Sequence, residues 1–246
     1  MSQSVQRALI YVGLILLICA LMFTALAAST QQWSAVWNYR VLFWKGWVTT
    51  ILISLAALVL SLAIGVIAAL AREGSVFIFR AIATIYVEFI RGTPLLVQLL
   101  LFFYVFGNAL HLENRYVVGT ITLALFSGAY IAEIIRGGFA SVGETQRESA
   151  RALGLTQGQT VRLVIIPQAL RVSLPPLAGQ FASLIKDSSL LSILGISEFA
   201  LAAQQTASAT YSTIESYFPL AIGYLVLTLP ISLWSRALEK RVRYED

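Results

Sequence analysis

The chain is 246 residues long, with 58% hydrophobic and only 12% charged residues, where a soluble domain carries about a quarter charged. Together with a mean hydropathy of +0.80, these values exclude a disordered chain, a collagen-like chain and an ordinary water-soluble enzyme, leaving a polytopic, all-α membrane protein. The single cysteine, Cys19, excludes a disulfide framework and a cysteine-built metal site, and the single histidine, His111, excludes a histidine cluster. An excess of 17 basic over 12 acidic residues reads, in a membrane protein, as the Lys/Arg bias that orients loops rather than as a nucleic-acid surface.

A helix needs about 20 mostly apolar residues to cross the hydrocarbon core. Six segments fit: residues 8–28, 47–70, 93–110, 117–138, 177–197 and 217–236. The first two carry no charge. The third is preceded by a stretch from Ala81 that can extend it backward as helix. The fourth holds Glu133 and Arg136 near its end, the fifth holds Lys186 and Asp187, and the sixth holds Pro230. No fixed-period repeat or long linker divides the chain, so residues 1–246 are expected to form one transmembrane domain. Arg7, the long apolar run and Ala25-Leu26-Ala27 admit either a retained first helix or a cleaved signal peptide. The rest of the topology is the same in both cases.

Lys and Arg set the orientation. With a cytoplasmic N-terminus, Arg7, Arg72, Arg80, Arg91, Arg136, Arg147, Arg151, Arg162, Arg171, Arg236, Lys240, Arg241 and Arg243 fall on the cytoplasmic side. Only Arg40, Lys45 and Arg115 fall outside, and Lys186 stays within the membrane. The expected protein is therefore a multi-pass inner-membrane protein with a cytoplasmic C-terminus and, if uncleaved, a cytoplasmic N-terminus. The crowding of Trp33, Trp37, Trp44 and Trp47 at the outer ends of the first two spans reads as an interfacial aromatic belt.

The longest stretch outside the membrane is the cytoplasmic loop 139–176. Glu144 to Leu153 has helix formers and alternating charge, and Gly154 stops it. Thr156 caps a second helix, Gln157 to Leu170, weakened by Gly158 and Pro167. Such a loop is either a solvated connector or a docking element. Ala150, Ala152, Leu153 and Leu155 are apolar in surroundings that should be wet, which suits a groove on a partner.

Here the residues carry a resemblance. Glu148-Ser149-Ala150, Gly154, and Val164, Ile166 and Pro167 have the spacing of the EAA signature of ABC importer permeases, with Ser149 departing from its central Ala. Arg91-Gly92-Thr93-Pro94-Leu95-Leu96-Val97-Gln98 is similar to the RGTP-LLVQ segment of the polar amino-acid branch of that family. Leu184 to Ser192 resembles its LLKDTSL-type segment, and Ser127 to Gly138 fits the branch too. The resemblance covers about residues 46–243, a five-helix core to which the first helix is an addition.

The resemblance implies the type I ABC importer permease fold and a non-catalytic subunit that transports polar amino acids. It implies a second permease subunit, identical or homologous, an ATPase dimer that holds the ATP and Mg, and an extracytoplasmic solute-binding protein. The EAA loop, here Glu148, Ser149, Ala150, Arg151, Ala152, Leu153, Gly154 and Leu155, would be the ATPase-coupling element. The residues themselves agree: the chain has no G-x-x-x-x-G-K-[ST] phosphate loop and no nucleophile, base and orienter set. No catalytic residue, bound cofactor or metal is therefore expected in this chain. A self-sufficient ion-coupled transporter is the alternative, but it usually shows more helices and internal symmetry.

Charges at bilayer depth cost about 2.5–3.5 kcal/mol on insertion scales and are kept only toward protein or water. Lys186 and Asp187 lie near the middle of the fifth span, and Lys186-Asp187-Ser188-Ser189 is a poor helix because Asp and Ser compete for backbone hydrogen bonds. The segment is expected to be loosened, either lining the translocation path or bridging helices. Tyr130, Glu133 and Arg136 share one helical stripe, readable as a gate or as a structural ion pair. Glu88 and Arg91 form an i, i+3 pair before a bend at Gly92-Thr93-Pro94. Gln98, one turn on, either bonds a carbonyl freed by Pro94 or faces the path. Gln204 to Ser216 reads as a polar outside segment.

Overall fold

The computed structural model describes Leu17, Thr24 and residues 33–109 and 111–243. The expected first span, 8–28, lies outside the described residues apart from those two. Among the described residues the chain is helical, with no strand. A short helix α1 (Trp33–Trp37) leads into α2 (Arg40–Glu73), α3 (Phe77–Gly92), and α4 (Leu95–Leu101), which continues as a π-helical turn, Phe102–Gly107. Then come α5 (Arg115–Ala140) and α6 (Glu144–Ala152). α7 (Gln157–Thr160) passes through a second π-helical turn, Val161–Ile165, into α8 (Ile166–Asp187). A 3-10 turn, Ser188–Leu194, precedes α9 (Phe199–Thr210) and α10 (Thr213–Arg243).

Four helical stretches among the described residues are long and apolar enough to cross a membrane: Arg40–Glu73, Arg115–Ala140, Gln157–Leu194 and Thr213–Lys240. α3 and α4 form a fifth only as a pair bent by 112°. The bend falls where Gly92-Thr93-Pro94 is expected to turn the chain. With α4 and its π turn ending at Gly107, a run of 1.5 Å per residue falls short of the roughly 30 Å core.

Helix runs on from Gln157 to Leu194, so the expected second loop helix is continuous with the fifth span. Pro167 comes just after the π turn Val161–Ile165, whose change of register accommodates the amide that proline lacks. Pro175 and Pro176 lie inside α8. Proline is tolerated within spans whose neighbours supply polar partners, and here the Ser235 hydroxyl of α10 donates to the Pro175 carbonyl at 2.8 Å.

α2 and α5 make the most intimate helix pair. A Cβ at Gly128 would lie 2.9 Å from Ile64 Cγ2, and one at Gly65 would lie 3.0 Å from the Gly128 carbonyl oxygen. Glycine therefore sets the helix separation, as small residues do in membranes where no hydrophobic force draws helices together. Leu99, Leu123, Leu184, Leu191 and Ile196 fill the core beside this pair.

α2, α5 and α10 run from an end marked by α9 to an end marked by α6, and α8 runs back. Thr50 meets Glu198 at the first end, and Arg72 meets Glu133 at the other. The stretch read as a polar outside segment spans the end of α9 and the start of α10, with Thr206 and Ser216 fully buried and Gln204, Gln205, Ser208 and Tyr211 exposed.

Candidate functional site

Three groups of residues stand out, two at the α6 end and one toward the α9 end. The first is α6 itself. Its amides begin beside Glu144, whose carboxylate accepts from Arg151 at 2.9 Å and lies 4.0 Å from Arg147, a favourable placement for an anion at a helix start. It ends in a Schellman motif: Gly154 N–H donates to the Arg151 carbonyl at 2.9 Å and Leu155 N–H to the Ala150 carbonyl at 3.1 Å. Gly154 takes φ +79°, a left-handed conformation that glycine adopts freely.

The next helix is capped at once. Thr156 Oγ1 accepts from Gln159 N–H, and the Gln159 side chain accepts from Thr156 N–H at 2.9 Å, a capping box. The two helices thus meet in a stiff elbow. Ala150 turns inward and is 3% exposed, Leu155 is half-buried, and Leu153 is 82% exposed at the tip. Glu148, Ser149, Arg151 and Ala152 are exposed along the outer face. Such a large apolar side chain held out on a rigid corner is suited to a pocket elsewhere.

The second group is a charge cluster at the same end. Glu133 of α5 accepts from Arg72 of α2 at 2.8 Å and from Arg136 Nε at 3.0 Å, and lies 3.4 Å from Arg91 of α3. Arg136 Nη2 bonds the same carboxylate. The Arg91 guanidinium stacks over the Tyr130 ring at 5.7 Å. The Tyr86 hydroxyl donates to the Leu125 carbonyl at 2.6 Å and adds a second tie between α3 and α5.

Tyr130, Glu133, Glu88 and Arg91 are therefore brought together; Glu133 pairs with Arg136 as their spacing suggests, but Glu88 and Arg91 do not pair with each other. Glu88 lies 3.7 Å from Arg72, and Arg91 turns to Glu133. The reason is burial: the Glu133 side chain is 22% exposed against 65% for Glu88, so its charge is the one that most needs partners. Arg72 was legible only as part of the loop charge bias; its partner is 61 positions away.

Gln98 belongs to the bend. Its side-chain nitrogen donates to the Ile90 carbonyl at 2.7 Å, the Thr93 carbonyl at 3.1 Å and the Thr93 hydroxyl at 2.8 Å, and the residue is 2% exposed. Pro94 cannot donate, and the chain turns away at Gly92-Thr93, so these carbonyls would otherwise lack partners. Of the two readings open to Gln98, this geometry is the bonding of freed carbonyls rather than a side chain facing an opening.

The third group is the end of α8. The helix loosens at Asp187, and the hydroxyls of Ser188, Ser189 and Ser192 each donate at 2.7 Å to the carbonyl three residues back. That competition is why the α ladder gives way to a 3-10 turn here. The turn ends at Gly195, φ +68°, whose carbonyl accepts from Arg115 at 3.0 Å. Lys186 is exposed, Asp187 half-buried and Ser188 fully buried.

Beside it lies a carboxylate that sequence reading overlooked. Glu198 is 0% exposed. It caps α9 by accepting from the amides of Ala200 and Leu201, each at 2.8 Å, and also accepts from Thr50 at 3.3 Å and Tyr224 at 3.1 Å. The available signal was an acidic residue just before the apolar start of a helix. Its partners on α2 and α10 left no local trace. Among the described residues no group of three or more His, Cys, Asp or Glu is arranged to hold a metal.

Comparison with known proteins places this geometry. A family model described as "Binding-protein-dependent transport system inner membrane component" matches residues 61–244. The glutamine transport system permease protein GlnP of Escherichia coli K12 is 36% identical over 214 residues, 86% of this chain and 98% of the relative. The L-cystine transport system permease protein TcyB of Bacillus subtilis is 37% identical over 194 residues, 78% of this chain and 83% of the relative. A crystal structure of an amino acid ABC transporter with histidines superposes with a TM-score of 0.80 at 36% identity, covering 86% of this chain and 99% of that one. The inward-facing methionine transporter MetNI shares the fold, with a TM-score of 0.64 at 18% identity over 84% of this chain and 97% of that one.

Proposed function

The chain belongs to the family of binding-protein-dependent transport system inner membrane components, and from that membership we propose that it forms part of the solute path of an ATP-driven importer of polar amino acids. It is the permease subunit of an ABC importer, with the type I importer fold, and is itself non-catalytic; ATP is hydrolysed by a partner ATPase. The family works with an ATPase and a solute-binding protein. A polar amino acid as the solute is supported by relatives named for glutamine and L-cystine and by the solved amino acid transporter with histidines.

The observation that carries the mechanism is the elbow at α6. Glu148 to Leu155 covers the second half of α6 and the Schellman turn that closes it, with Leu153 held out to solvent. Seated in a groove of an ATPase dimer, it transmits displacement rather than absorbing it. The α6 end is then cytoplasmic, together with the C-terminus and an uncleaved N-terminus. Arg72, Arg91, Arg136, Arg147 and Arg151 gather there, while Arg40, Lys45 and Arg115 lie toward the α9 end, which supports that orientation in the inner membrane.

The path follows from the same placement. Lys186 stands eight positions before Leu194, roughly half-way through a ~30 Å core at about 2 Å per residue. There Lys186 and Asp187 complement the two charges of a zwitterion, and Ser188 fixes the turn. Tyr130, Glu133 and their arginines form a polar constriction on the cytoplasmic side, and Glu88, Arg91, Gly92, Thr93 and Pro94 shape the bend beside it. Gln98 takes part by holding that bend. The exposed apolar faces of α3 (Phe77, Ile82, Ile85, Phe89) and of α10 support contact with lipid and with a second permease subunit, identical or homologous. ATP and Mg bind the ATPase, and this chain carries no cofactor of its own.

Reconstitution tests the reading. The chain is placed in proteoliposomes with its ATPase, the second permease if one is encoded, and its binding protein. Uptake of radiolabelled polar amino acids is measured, with glutamine, cystine and histidine first. ATP-dependent, binding-protein-dependent uptake of one of them is the expected result. Uptake driven by an ion gradient through this chain alone would overturn it.

A further inference from the structure

At the α9 end, away from the solute path, α1, the first turns of α2 and the start of α10 enclose a groove of about 550 Å³. Its floor is buried: Val36, Phe43 and Phe199 pack together with Ala203, and Phe43 meets Phe199 edge-on at 5.9 Å. Its walls carry the exposed rings of Trp33, Trp37 and Trp44. Trp33 stands edge-on to Phe218 of α10 at 6.1 Å, and Trp44 leans on Trp47 at 5.5 Å. Rings fixed in this way hold the groove open without an occupant.

The polar groups around it are unspent. Trp47 donates its indole N–H to the Gly223 carbonyl at 3.4 Å, but among the described residues those of Trp33, Trp37 and Trp44 have no such partner. Arg40 stands exposed at the rim. Its guanidinium donates to the Trp37 carbonyl at 3.3 Å and lies 5.6 Å from the centre of the Trp37 ring. Among the described residues it pairs with no carboxylate. The chain before α1 cannot supply the missing charge, because residues 1–32 contain no Asp or Glu.

Depth identifies the occupant. Trp47 opens the second expected span, and Arg40 lies seven residues further out along α2, about 10 Å at 1.5 Å per residue. That distance leads from the edge of the hydrocarbon core across the headgroup layer. An apolar floor at the inner end, indole donors between and a cation at the outer end match an acyl chain, ester carbonyls and a phosphate in that order. A headgroup with its own ammonium would set a second cation beside Arg40; a net negative one complements it. We propose that this groove is a binding site for an anionic glycerophospholipid, with Arg40 on the phosphate and an acyl chain over Val36, Phe43 and Phe199. That the lipid belongs to the outer leaflet rests on the orientation proposed above; the binding does not.

Tryptophan quenching tests it. The full-length chain with Trp234→Phe, so that only the tryptophans of this end report, is placed in nanodiscs of phosphatidylcholine. These contain increasing fractions of phosphatidylglycerol or phosphatidylcholine brominated on the acyl chains. Both faces have the same lipid, so a wrong orientation does not affect the result. The phosphatidylglycerol probe should quench at about five-fold lower mole fraction, the scale of one basic side chain at an anionic surface. Arg40 is exposed with local bonds only, so its variants should insert normally. Arg40→Gln should abolish the preference and Arg40→Lys should keep most of it. Lys45→Gln, which removes an exposed charge outside the groove, should keep all of it. Equal quenching by the two probes in the chain with Arg40 intact leaves an ordinary aromatic belt and overturns the proposal. Equal losses for Arg40→Gln and Lys45→Gln reduce it to diffuse attraction and also overturn it. A preference that emerges only after residues 1–28 are deleted assigns the groove to the chain's own first span and overturns it as well.

Discussion

Arg72 donates to Glu133 at 2.8 Å across 61 positions of chain, joining the end of α2 to that of α5. The same carboxylate bonds Arg136 and neighbours Arg91, so one acid balances three bases drawn from three helices. Glu133→Gln would leave the three arginines facing one another without the carboxylate they share. Hydrogen bonds to charged groups contribute about 1.5–3 kcal/mol each, and part of that is screened at this partly open site. The expected outcome is a fall of several degrees in the unfolding midpoint of the purified importer, larger than for Arg72→Gln alone. An unchanged midpoint would show that the cluster holds nothing together.

Gly154 supports a separate expectation. A side chain at its φ of +79° costs about 1–2 kcal/mol, and no neighbouring atom lies within 4 Å of the Cβ position, so the cost is backbone alone. Gly154→Ala should loosen the Schellman turn modestly, and Gly154→Arg should in addition obstruct docking. Membrane insertion, followed by immunoblot of the membrane fraction, should persist in both, while uptake falls for Ala and collapses for Arg. Normal uptake by the Arg variant would reject a coupling role for the elbow.

At the tip of that elbow, the Leu153 side chain is 82% exposed. Leu153→Asp should leave thermal stability within about 0.5 kcal/mol of the parent, as surface changes do. Burying a leucine in a partner contributes about 1.5–3 kcal/mol, or ten- to a hundred-fold in affinity. Titration of detergent-solubilised subunit with its ATPase should show a loss in that range. Equal affinity would mean that Leu153 does not enter the partner.

Gln98 separates two kinds of consequence. Gln98→Leu keeps the volume but leaves the Ile90 and Thr93 carbonyls without their donor, at about 1–3 kcal/mol for an unsatisfied buried group. The expected result is a lower yield of folded protein and a lower unfolding midpoint, with the apparent KM for solute unchanged. A shifted KM at unchanged stability would instead place Gln98 on the path.

How much of this the sequence carries depends on the range of each interaction. The stop at Gly154, the cap at Thr156 and the loosening after Asp187 depend on groups a few residues apart, and they are readable from residue types alone. The pairing of Arg91 is not, because Glu133 outcompetes the nearer Glu88 through a burial that only the fold creates. Glu198 escapes for the same reason: Thr50 lies 148 positions away and Tyr224 lies 26. The continuity of helix from Gln157 into the fifth span is less legible, because Pro167, Pro175 and Pro176 each weaken a local reading of helix. The π turn at Val161–Ile165 and the hydroxyl of Ser235 make room for them.

The glycine contact between α2 and α5 restricts where the subunit can flex. With Ile131 seated on Gly65 and Ile64 seated on Gly128, a side chain of each helix rests against the glycine of the other, so the two helices travel as one strut. Any opening and closing is thereby pushed onto the π turns at Phe102–Gly107 and Val161–Ile165, where the hydrogen-bond ladder already runs out of step.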